Sequence, residues 1–169
     1  MAREKENIKS RWRRIFRYGP LVIWAVLIFI GSGDVLSASH TSILVSVAHY
    51  LFPTASAETL AVFHLLIRKA GHLTEYAILA ALAARAFRTS SRDLLRRRWF
   101  WAALILVVLY ALSDEFHQSF VPSRGASIYD SLIDSVGGLI GLMIVWSWHH
   151  RTNRKKTQRA RTAKVGAAA

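Results

Sequence analysis

The stretch WFWAALILVVLYALSDEFHQ, Trp99–Gln118, is apolar from Trp99 to Leu112 and then turns polar at Ser113, Asp114, Glu115, His117 and Gln118. A helix of these 20 residues, rising about 1.5 Å per residue, covers the roughly 30 Å hydrocarbon core of a bilayer. An ionisable group at the middle of that core costs about 2.5–3.5 kcal/mol on insertion scales, so a membrane helix ending in such a cluster marks a site.

Three further segments have the same length and apolarity, over Tyr18–Leu36, Lys69–Phe87 and Ile128–Trp148. His72 and Glu75 lie in the second of these, Asp130 and Asp134 in the last. Tyr18, Trp99, Trp101, Trp146 and Trp148 stand where an interfacial aromatic belt would place them. Ser42–Phe52 is too short to span, and its Ile43, Leu44, Val47 and Leu51 recur at helical spacing, which reads as an interfacial or re-entrant helix. Pro53 ends it, and Ser56 is placed to cap a helix starting at Ala57. That helix either runs through Leu66 into the second span or breaks at Gly71. The fold class expected is all-α, a polytopic membrane bundle of four transmembrane helices plus one interfacial helix.

Charge gives the orientation. The 169-residue chain has a net charge of +13 and 53% hydrophobic residues, a combination foreign to ordinary soluble domains. Nineteen of its 23 Lys and Arg fall before Tyr18, between Arg88 and Arg98, or after His150. Spans of membrane length separate these clusters, which is how cytoplasmic loops look and not how a nucleic-acid surface looks. Both termini are therefore expected on the cytoplasmic side of the membrane, with no nucleic-acid partner. The basic segment 1–17 precedes a transmembrane domain over 18–149, and a basic tail follows over 150–169. The first apolar run resembles a signal peptide but is long and leads into more membrane protein, so it is read as an uncleaved span. With no cysteine, thiol chemistry and disulfides are excluded.

In this orientation His72, Glu75, Asp114, Glu115, His117, Gln118, Asp130 and Asp134 all fall in the outer half of the membrane. Helical spacing puts His72, Glu75 and Tyr76 on one stripe and pairs Asp114 with His117 or Gln118, while Glu115 points about 100° away. Asp130 and Asp134 are one turn apart. Carboxylates whose environments differ can share acid and base roles, and Arg124 offers a planar fork for an anion. The same oxygens and imidazole would suit a divalent cation, although no HExxH spacing supports zinc and no other cofactor is implied. Against these stands a structural reading, in which polar groups join helices at about 0.6 kcal/mol each. Lys69 and Arg68 are read as snorkelling to head groups, and Gly137, Gly138 and Gly141 as a small face for close helix packing.

The run Lys69-Ala70-Gly71-His72-Leu73-Thr74-Glu75-Tyr76 with Leu79, and the run Asp114-Glu115-Phe116-His117-Gln118-Ser119-Phe120-Val121-Pro122-Ser123-Arg124 followed by Asp130 and Gly137, resemble the two signatures of the VanZ-like family. Ser32 after an apolar first span resembles its opening. The resemblance implies a small bacterial envelope protein, in a family whose founding member is associated with low-level teicoplanin resistance. It points to His72, Glu75, Tyr76, Asp114, Glu115, Gln118, Arg124 and Asp130 as functional positions. Ser123 stands where a glycine is common, and Asp134 where asparagine is common.

The site is thus expected to bind, and in an enzymatic version to process, a lipid-linked cell-wall precursor or phospholipid head group. His72, Glu75, Asp114, Glu115 and His117 are then the catalytic candidates. Tyr76, Gln118, Arg124, Asp130 and Asp134 are the binding candidates. The alternatives are a non-catalytic modulator of precursor or antibiotic access, and a purely structural membrane subunit.

Overall fold

A computed structural model describes residues 1–33, 47, 50, 52, 54–121 and 127–166. The interfacial helix read over Ser42–Phe52 falls almost wholly outside them, as does Arg124. The described residues form five helices: α1 (Ala2–Ser32), α2 (Ala57–Arg88), α3 (Asp93–Arg97), α4 (Trp99–Gln118) and α5 (Ile128–Gly166).

Three of them, α1, α4 and α5, are long and apolar enough to cross a membrane by length and composition. Their apolar side chains point outward. Val22, Ile23, Val26, Leu27, Trp101, Ile105, Leu109, Val136, Ile140 and Ile144 are all exposed, which water would penalise and lipid favours.

Helix α2 is different. It carries Lys69, His72, Glu75, Arg85 and Arg88, and between them an alanine-rich run that packs inside the bundle. Tyr76, Leu79, Ala80, Ala83, Ala84, Ala86 and Phe87 are buried against Ala103, Val107 and Ala111 of α4, Leu142 of α5, and Leu21 and Ile28 of α1. α2 packs most extensively on α5, then on α4 and α1.

Small residues make the α2–α5 crossing close. A Cβ built on Gly137 would lie 2.5 Å from the Leu73 carbonyl oxygen, and one on Gly141 2.4 Å from that of Ala77. With Gly138 facing Val107 of α4, this is the tight small-residue packing expected of those glycines, and hydrocarbon favours it because van der Waals contact drives helix association there.

Four boundaries differ from or sharpen the sequence reading. α1 begins at Ala2 rather than Tyr18, and α5 runs on past Trp148 to Gly166. In both places Lys, Arg and Ala continue a helix readily, and no glycine or proline lies between Trp148 and Gly166 to stop it. α2 runs unbroken through Gly71, whose added Cβ would meet nothing within 4 Å. Its start is as read: Ser56 caps it, the side chain accepting from the Thr59 N–H.

Candidate functional site

The C-terminal ends of α1 and α4, the middle of α2 and the first turns of α5 meet at one end of the bundle. Alternating chain direction brings them there, and each contributes polar groups through a local register of three or four residues.

Asp114 is the centre. Only 2% exposed, it accepts at Oδ2 from Ser32 Oγ of α1 (2.7 Å) and from Gln118 Nε2 one turn on (3.0 Å). Of the two pairings left open by spacing, Gln118 is the one realised. Asp114 Oδ1, by contrast, has no hydrogen-bond partner among the described residues. Tyr76 of α2, fully buried, faces Asp114 and Asp134, and its hydroxyl also lacks a partner there. Behind it stands Tyr110, at 6.2 Å between ring centroids, which donates to the Ala25 carbonyl of α1.

Asp134, also 2% exposed, lies 3.6 Å from His72 Nδ1. It is within electrostatic reach of Asp114, Asp130, Glu115 and Glu75. One turn earlier on α5, Asp130 takes an ion pair from Lys69 Nζ at 2.9 Å, at the half-exposed rim. Around the cluster the backbone is fixed as well: Trp24 Nε1 donates to the Glu75 carbonyl at 2.9 Å, and Ser131 Oγ reaches the Ala111 carbonyl at 3.4 Å.

Two candidates stand apart. Glu115 turns away from Asp114, as its 100° offset requires, and accepts from the Ser127 backbone N–H at the start of α5. His117 stacks on Phe29 of α1, with centroids 4.1 Å apart and planes 25° from parallel. The structure therefore gathers His72, Glu75, Tyr76, Asp114, Gln118, Asp130 and Asp134, while Arg124 is outside the described residues. Among those residues, no three His, Asp or Glu side chains converge as a metal-holding set.

Two residues join the cluster against or beyond the sequence reading. Lys69 does not reach for head groups: it precedes His72 by three residues and Tyr76 by seven, so it shares their stripe, and it pairs with Asp130. That spacing is a readable signal. Ser32 reads from the sequence only as the close of the first span and part of the family resemblance, and nothing local reveals that its hydroxyl meets Asp114 across 82 positions.

The VanZ/LLP1 family model matches residues 18–149, more than three quarters of the chain. The chain belongs to the VanZ/LLP1 family. No curated protein and no solved structure matches it. The matched segment contains α2, α3 and α4 whole, the apolar parts of α1 and α5, and every residue of the polar cluster. Membership thus agrees with a multi-pass membrane protein.

Proposed function

We propose that this VanZ/LLP1 protein crosses the bacterial inner membrane four times, with α2 as the fourth span and both termini in the cytoplasm. The polar end of the bundle then opens to the exterior and binds the head group of a lipid-linked precursor or phospholipid. The orientation is supported by the basic clusters, which all lie at the opposite end.

One observation carries the binding reading: at the centre of the cluster, Tyr76 Oη and Asp114 Oδ1 are buried, with Tyr76 facing Asp114, and neither makes a hydrogen bond of ordinary geometry among the described residues. A buried polar group left unpaired costs about 1–3 kcal/mol, so a fold that keeps two together is suited to a polar guest. Asp114, Asp134, Asp130 and Glu75 outnumber Lys69 and His72, so the guest should offer donors, such as sugar hydroxyls or an ammonium group, and Arg124 would serve a phosphate beside it. In an enzymatic version Glu75 or Asp114 is the base and His72 its acid partner.

Binding without catalysis is the second reading. It is favoured by the engagement of Glu115 with Ser127 and of His117 with Phe29, which ties two of the five catalytic candidates into helix contacts. Such a protein would modulate precursor or glycopeptide access.

The test compares Tyr76→Phe, Asp114→Asn, Glu75→Gln and Arg124→Lys for membrane abundance, melting temperature and the lipids that co-purify or accumulate in cells. Normal abundance with loss of the lipid readout is expected. Tyr76→Phe is the sharpest member, because it removes only a hydroxyl that faces Asp114 and Asp134 and makes no hydrogen bond of ordinary geometry among the described residues. If all four variants keep the wild-type lipid profile, the polar groups join helices and do no more.

A further inference from the structure

At the other end of the bundle, α1 and the connection between α2 and α3 enclose a cavity of about 690 Å³. Arg13, Arg14, Arg17, Arg92, Ser90 and Ser91 supply its polar lining. No carboxylate lines it, and among the described residues none of the four guanidiniums has an acidic partner. Arg13 and Arg17 are one turn apart on α1, a like-charge spacing that destabilises a helix by a few tenths of a kcal/mol.

The pocket is built, not merely charged. Arg17 donates to Ser91 Oγ at 2.9 Å and lies over the Tyr18 ring at 5.9 Å. Tyr18 Oη and Ser90 Oγ share a hydrogen bond at 2.9 Å, and the Arg92 N–H donates to Ser90 Oγ at 3.1 Å. Ser90 is nearly wholly buried. The guanidiniums of Arg13, Arg14 and Arg92 have no hydrogen-bond partner among the described residues. Planar forks converging beside fixed hydroxyls match a phosphate.

We infer that this cavity is a binding site for the phosphate of an anionic phospholipid. Its position argues for lipid over free phosphate. Ser10, Tyr18 and Leu95 complete the lining, and the apolar part of α1, with Val22 and Ile23 exposed, begins immediately beyond. Acyl chains would lie along that face while the head group enters the arginines. Basic pockets between helices at the cytoplasmic boundary hold anionic head groups in the same way. The site is remote from the polar cluster, about 22 Å along α1 from Arg17 to Ser32 at the helical rise.

The experiment is native mass spectrometry of the full chain in phosphatidylcholine-containing micelles, titrated with phosphatidate and separately with inorganic phosphate. The variants are Arg13→Gln/Arg92→Gln in the pocket and Arg151→Gln/Arg154→Gln in the basic tail. Wild type should retain phosphatidate. The pocket pair should weaken retention about twenty-five-fold, each basic contact being worth about fivefold, and the tail pair should change it little. Melting temperature confirms that the variants fold. Should the pocket pair fail that check, Arg92→Lys with Ser91→Ala keeps the charge but loses fork and hydroxyl, and should still weaken retention severalfold. Equal losses from pocket and tail would overturn the site in favour of diffuse charge. Displacement of phosphatidate by equimolar inorganic phosphate would overturn the lipid assignment.

Discussion

Replacing Gly137 by alanine tests whether the α2–α5 crossing holds the candidate site together. The new Cβ would stand 2.5 Å from the Leu73 carbonyl oxygen, 2.8 Å from its Cα and 3.0 Å from its carbonyl carbon, all backbone atoms that no rotamer change can move. Ordinary contact begins at 3.4 Å, so the helices must part by about 0.9 Å, which close-packed interiors resist. Overpacking of this kind costs about 1–3 kcal/mol, less up to about 1 kcal/mol regained from helix propensity. The same opening acts on the residue next to Leu73, lengthening the 3.6 Å approach of His72 to Asp134. Gly71→Ala is the internal control: it carries the same propensity gain but meets nothing within 4 Å. Thermal unfolding in detergent, followed by tryptophan fluorescence, should show Gly137→Ala melting below wild type and Gly71→Ala at or above it. If the two variants melt together, backbone proximity at Gly137 is not what joins these helices.

Two further outcomes are expected. Because the chain has no cysteine, single cysteines at Arg98 and Ser123 can be labelled with an impermeant reagent in intact cells; labelling at 123 and not at 98 is expected, and the reverse pattern would invert the proposed orientation. Trp24→Phe keeps the ring packing but leaves the Glu75 carbonyl without its indole donor. It should cost about 1 kcal/mol, read as a lowered melting temperature, with no loss if α1 and α2 are held by apolar contact alone.

What the sequence disclosed was local. The cap at Ser56, a partner for Asp114 one turn on (His117 or Gln118) and the turn of Glu115 away from Asp114 all follow from spacings of one to four residues, which a helix converts directly into geometry. The sorting of polar groups toward one end was legible because hydropathy and charge fix where spans begin and end. Lys69–Asp130 and Ser32–Asp114 join residues 61 and 82 positions apart. Their pairing depends on how the helices cross, and that is set by the small faces of α2 and α5 packing in three dimensions. Helices α1 and α5 run beyond the spans read from the sequence for another reason: apolarity stops at the membrane boundary, whereas helical propensity does not.

On the four-span reading, α2 poses a problem of synthesis. Its charged residues make it a poor candidate for hydrocarbon by itself, and the partner that covers it best, α5, is made much later. Gly137 follows Leu73 by roughly sixty residues, which a ribosome adding about 5–20 residues per second completes in about 3–13 s. Through that interval α2 has only α1, and then α4, to shield Lys69, His72 and Glu75 from lipid. Chains truncated before Ile128 should therefore leave α2 exposed to membrane proteases, and their turnover would reveal how far the last helix acts as the clasp of the bundle.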